Sequence, residues 1–152
     1  MSRFAQLTTL LLITFGISNV VINEIHYNPS LNLGYEDSDY EFIELYNNSD
    51  HDIDITDWSF ASNNIHYQFG HHVIAPRDYV LLCRNSHTYE NCIDHHGGSL
   101  SNDGETLYLL DAHHNYVDYV NYDTGYWFWD DFPTEGNAHG PSIELINANY
   151  DN

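Results

Sequence analysis

The sequence contains no lysine, and its three basic residues are all arginine. Against them stand 23 aspartates and glutamates, giving a formal net charge of −20. Such a surface repels a phosphate backbone, whose binding needs cations that displace counterions. Nucleic acid and anionic lipid are therefore poor partners for it. Divalent cations, basic proteins and neutral sugars stay open.

Other absences narrow the field further. After residue 18 no segment keeps apolar residues at helical spacing for three turns, and there is no internal repeat or low-complexity linker. No H-E-x-x-H or C-x-x-C spacing, G-x-S-x-G motif or phosphate-cradling glycine loop occurs. Metal hydrolysis, serine nucleophiles and nucleotide chemistry lack their usual signatures.

At the N-terminus, Arg3 precedes an apolar stretch from Leu7 to Ile17, with Gly16-Ile17-Ser18 placing small residues at −3 and −1 of a cut after Ser18. This pattern predicts a cleaved signal peptide over residues 1–18, the alternative being an uncleaved anchor. The stretch is too short for a standard membrane span, so no membrane insertion is expected after cleavage. Loss of Arg3 leaves Arg77 and Arg84 against 23 acids, a net of 2 − 23 = −21. The expected location is secreted or at the cell surface. Two cysteines in an exported chain predict one disulfide, Cys83–Cys92, stabilising by roughly 2–3 kcal/mol. Asn47-Asn48-Ser49 is a glycosylation sequon, making Asn47 the candidate acceptor, whereas Asn28-Pro29-Ser30 is blocked by its proline.

Between residues 20 and 146 the chain reads as short strands and turns. Candidates are Val20–Tyr27, Glu41–Tyr46, His51–Asp57, Trp58–Phe60, Ile65–Phe69, Tyr79–Cys83, Glu105–Leu110, Tyr116–Tyr122 and Ser142–Ile146. Ile43 and Leu45 alternate with Phe42, Glu44 and Tyr46, and Ile53 and Ile55 point inward. Asp111–Asn115 reads as a hairpin turn, and Trp58 is assigned to the core. Eight or nine short strands, each with one apolar face, predict an all-β, antiparallel sandwich or barrel.

Three groups of residues carry candidate chemistry. The stretch Asp37-Ser-Asp-Tyr-Glu41 begins like an EF-hand loop, but Phe42 stands where its glycine belongs and Asn48 where its glutamate belongs. A calcium site of another kind would draw on Glu24, Asp37, Asp39, Glu41 and Glu44. No cofactor is expected, the acids reading as a solvated loop; calcium is the alternative. A glycosidase needs two carboxyls fixed about 5–9 Å apart across a cleft, and so small a sandwich offers little cleft. The doublets His71-His72, His95-His96 and His113-His114 read as loop histidines, since strand neighbours point to opposite faces. Finally, Tyr126-Trp127-Phe128-Trp129 reads either as a loop folded over the open end of the sandwich or as an aromatic run in excess of what packing needs. Its surplus rings would stack on sugar or anchor a protein partner.

The ordered motifs resemble the lamin tail domain family. Val21–Ile25 is similar to its first strand, Glu41–Asn47 to its E-[FY]-I-E-L-x-N strand and Ile53–Phe60 to the segment that follows. Leu100–Leu107 with Val117-Asp118 and Tyr122 resembles its late hairpin, and Gly140–Ile146 its closing strand. The likeness is greatest to the exported microbial type. It implies an immunoglobulin-like β-sandwich over residues 19–147, with residues 148–152 opening a connector or tail. The family has no catalytic residues to transfer, so the resemblance implies a non-enzymatic module for adhesion, assembly or substrate targeting, with a protein or glycan partner. Two alternatives accompany it. One is an accessory domain of a larger secreted enzyme, spore-coat-kinase-like or nuclease, continuing beyond Asn152; the other is a calcium-stabilised structural module.

Overall fold

The computed structural model describes residues 19–29, 37–123 and 142–145. Eleven strands lie among them: β1 (Val20–His26), β2 (Phe42–Asn47), β3 (Ile53–Asp54), β4 (Ser59–Ala61), β5 (His66–Gln68), β6 (Val73–Ile74), β7 (Tyr79–Cys83), β8 (Ile93–Asp94), β9 (Gly104–Leu110), β10 (Tyr116–Asp123) and β11 (Ile143–Glu144). No α-helix occurs among the described residues; the acidic stretch Asp37–Tyr40 is a single turn of 3-10 helix. The predicted signal peptide, the aromatic run at residues 126–129 and the predicted connector lie outside the described residues.

One sheet runs β11-β1-β2-β7-β8, a second β10-β9-β4-β5, and β3 pairs with β6 in a small third. Strict alternation builds the first sheet's inner surface. In β2, Ile43 and Leu45 are buried while Phe42, Glu44 and Tyr46 are half-buried on the other side. Register places Ile25, Ile43 and Leu82 in one inward row and Ile22, Leu45 and Val80 in the next. Leu107, Leu109, Phe60 and Val120 meet them from the second sheet. Each such buried side chain contributes about 1.5–3 kcal/mol. Ile55 and Ile74 join the same core beside β3 and β6. The result is the immunoglobulin-like β-sandwich that the resemblance implied.

Two features depart from the expected plan. β8 pairs with β7 in parallel, Leu82 opposite Ile93 and Cys83 opposite Asp94, so the sandwich is not wholly antiparallel. Parallel neighbours usually need a crossover of a dozen residues or more; here the turn is shorter, and the Cys83–Cys92 disulfide ties its base. The strand number also exceeds eight or nine, because β3, β6, β8 and β11 are only two residues long. Such pieces are too short to show alternation.

Bulges adjust two long strands. In β1 the register slips at Asn23, so Ile22 and Ile25 both face the core although three positions apart. In β10 it slips at Val117, which turns towards the core. The two irregularities meet: β11 pairs only with Glu24 and Ile25 of β1, and beyond it Ile22 N donates to Asp118 Oδ2 at 2.7 Å. A buried carboxylate of one sheet thus satisfies an edge donor of the other.

Candidate functional site

The outer face of the first sheet is acidic. Glu24 stands opposite Glu144 on one side and Glu44 on the other, a row of three glutamates across β11, β1 and β2. Asn23 Nδ2 donates to Glu44 Oε1 at 2.8 Å, and Ser142 Oγ donates to Glu24 Oε1. Partial burial pushes the Glu44 carboxyl above its usual range; the charges of Glu24 and Glu144 push the same way, and the Asn23 hydrogen bond opposes them.

The five calcium candidates do not assemble. Glu24 and Glu44 are neighbours on this outer face, but Glu41 shares the inward parity of Ile43 and Leu45 and is buried. Its Oε2 accepts the backbone N–H of Leu100 at 2.8 Å. Asp39 sits in the 3-10 turn, where its carbonyl accepts Thr88 Oγ1 at 3.0 Å. Asp37 opens that turn, and its side chain lies outside the described residues. No cluster of three or more His, Cys, Asp or Glu suited to a metal occurs among the described residues.

Two further buried polar groups serve the fold. Glu105 accepts from Ser101 N and Asn63 N, both at 2.8 Å, and from the Tyr122 hydroxyl at 3.2 Å. Burial first, then the Glu105 charge, raises the Tyr122 phenol well above its ordinary value. Asn47, the residue expected as glycan acceptor, is the other. The side chain is fully buried, with Nδ2 donating to His51 O, Ile74 O and Ala75 O at 2.8–3.0 Å. Its Oδ1 accepts Ser49 N and Ser49 Oγ. In this fold the sequon's asparagine ties the turn at Ser49–His51 to the Ile74-Ala75 backbone.

The six histidines of the three doublets lie in loops outside the strands, as expected. His96 and His114, the second members of two doublets, have φ of 60° and 63°, the left-handed region where histidine is enriched. His95 differs, because it is buried. Its Nδ1 lies 2.8 Å from the Gly97 carbonyl, so Nδ1 carries the proton, and Nε2 faces no hydrogen-bond partner among the described residues. Desolvation holds its pKa below the ordinary imidazole value despite that hydrogen bond and the nearby Asp94. Tight packing next to it is visible at Gly98, where an added Cβ would lie 2.2 Å from Asn64 O.

The outer face of the second sheet has a different character. Thr106, Tyr108 and Leu110 alternate outward along β9, opposite Tyr116, Tyr119 and Asn121 of β10. Tyr116 is 71% and Tyr119 52% exposed, and the Tyr108 and Tyr116 rings lie 5.6 Å apart. Ser59 and Ala61 extend this face onto β4. Among the outward positions from Tyr116 to Asn121, and along those of β4, β5 and β9, there is no Asp, Glu, Lys or Arg. At one end, Tyr116 borders a shallow groove of about 460 Å³ shared with His51, Asp52, Asp54 and Trp58. The Asp54 carboxyl is held below its usual range by the Thr56 hydroxyl and amide. Trp58, expected in the core, is half-buried: it packs against the core and also lines this groove.

Sequence reasoning singled out none of these tyrosines. Strict alternation puts Tyr116 and Tyr119 on opposite faces; the Val117 bulge brings them to one.

No curated protein matches the chain. The model of the Lamin Tail Domain, a family of non-enzymatic immunoglobulin-like domains, matches residues 14–124. That span holds β1 to β10, and β11 returns beyond it to pair with β1. With well over half its length matched and the sandwich in place, the chain belongs to the lamin tail domain family.

Proposed function

We propose that this chain is an exported, non-catalytic module that binds a partner at the cell surface or outside the cell, for adhesion, assembly or targeting. The observation that carries the reading is the contrast between the two outer faces of the sandwich. One presents three glutamates in a row, and the other a tyrosine surface, without an acid or a strong base from Tyr116 to Asn121, that the core does not require. Tyrosine supplies rigid, amphipathic contact area at low conformational cost. The Cys83–Cys92 disulfide and the apolar N-terminal stretch support an oxidising, exported setting.

The test is secretion of the full chain followed by cell binding. The expected result is a mature protein beginning at Asn19, with Cys83 and Cys92 oxidised, that associates with the surface or matrix of the producing cells. Retention inside the cell with both thiols free would overturn the export half. A secreted protein that binds neither cells nor matrix would overturn the binding half.

A further inference from the structure

We infer that the outer face of the β10-β9-β4-β5 sheet is a tyrosine platform for a neutral, hydroxyl-rich polysaccharide. The inference rests on the binding-module reading and adds the surface and the ligand class. Tyr116 and Tyr119 project from β10 with most or half of their surface in water, and Tyr108 supports Tyr116 from the neighbouring strand. Their rings offer flat faces to the C–H side of a sugar, and their hydroxyls pair with its O–H groups. Thr106 and Asn121, opposite each other on the same face, add neutral donors and acceptors.

Charge selects this ligand over others. The protein carries 23 acids and three arginines, yet the outward positions from Tyr116 to Asn121 and those of β4, β5 and β9 hold none of either; an acid enters the outward β10 row only at its end, Asp123. An anionic polymer would meet the field of a strongly acidic protein with no local cation to hold it. A basic protein would be drawn to the glutamate row on the opposite side of the sandwich instead. A second copy would bring another −20 against the first. A neutral polymer pays none of these electrostatic costs. The groove beside Tyr116 fits the same chemistry, because the carboxylates of Asp52 and Asp54 accept from hydroxyls at its rim.

The experiment is depletion of the mature chain from solution by microcrystalline cellulose, chitin and an insoluble β-1,3-glucan, at low and high salt. At least one is expected to retain it with little salt dependence. Tyr116→Ala and Tyr119→Ala should each weaken retention about tenfold, the loss of one aromatic contact of about 1.4 kcal/mol. Tyr116→Phe should keep most of it, and Glu24→Gln all of it. Both tyrosines are exposed, so these variants retain the fold, which circular dichroism would verify.

Retention by none of the three polymers overturns the inference. So does retention that Tyr116→Ala/Tyr119→Ala leaves unchanged, or a concentration-dependent dimer that this double variant abolishes. The two levels of the reading separate cleanly. If no polymer retains the chain but the double variant loses binding to the producing cells, the ligand class falls and the binding module stands. If neither binding is found, both fall.

Discussion

Replacing Asp118 with alanine removes a carboxylate that bridges the two sheets at their bulges. In the native chain its Oδ2 accepts Ile22 N at 2.7 Å and its Oδ1 accepts Tyr119 N at 2.9 Å. The first bond is buried and joins residues 96 apart in sequence. Deleting the acceptor strands the Ile22 N–H where β11 no longer covers the strand. A hydrogen bond to a charged group contributes about 1.5–3 kcal/mol net, and a stranded buried donor costs about 1–3 kcal/mol, two views of one loss. The expected destabilisation is therefore about 2 kcal/mol. At about 4 °C per kcal/mol for a domain of this size, the Tm falls by about 8 °C. Urea unfolding should show a lower midpoint with unchanged slope, because the folded core stays as compact. Amide exchange should accelerate most at Ile22. Asp118→Asn keeps one oxygen for two donors, so it should cost about half as much. A Tm within 1–2 °C of wild type for Asp118→Ala, about 0.5 kcal/mol or less, would refute the bridging role. Exchange at Ile22 that stays slow would refute it as well.

Two further outcomes concern titration. Glu44 has a folded-state pKa raised by burial and by Glu24 and Glu144. The native state then binds the extra proton, so the group favours folding below its unfolded pKa and that benefit is lost as pH rises through the folded value. Glu44→Gln keeps an acceptor for Asn23 and relieves like-charge contacts, raising stability near pH 7 by about 0.5 kcal/mol. The gain should vanish in melts below about pH 4.5; a gain that persists there would point to packing. For His95 the sign is reversed. Burial depresses its pKa, so the unfolded state takes the proton first, and stability falls as pH drops below about 6.5. His95→Asn, whose amide can still donate to Gly97 O, should flatten the Tm–pH curve between pH 6.5 and the lowered folded value. An unchanged slope would remove His95 as its source.

Much of the sandwich was legible because a half-buried strand repeats every two residues. Ile43 and Leu45 in β2, and Leu107 and Leu109 in β9, fall inward on that count alone. The same parity places Glu41 and Asn47 inward with Ile43 and Leu45. Their polar identity argued for solvent, as a cation ligand and a glycan acceptor, yet both side chains are buried. Buried backbone donors and carbonyls at Leu100, Ile74 and Ala75 needed partners, and these side chains supply them. A single extra residue at Asn23 or Val117 defeats any counting rule, since everything after it changes face. For that reason the tyrosine platform was invisible in the sequence. β8 escaped for another reason: two residues in parallel register carry no periodic signal, and only the disulfide marks where the chain comes back.

That return has a consequence for how the protein ages and is handled. β7 is flanked by β2 on one side and, at Leu82 and Cys83, by the short β8 on the other. An uncovered strand margin is a template for foreign chains. Here the covering piece has only two residues of pairing, and a sulfur–sulfur bond moors it to the strand it shields. Reduction leaves the core rows untouched but frees the cover. Thiol-reducing buffers would therefore open this margin to solvent before they cost the protein its fold, and the −20 charge is what then opposes the strand pairing that a bare edge invites.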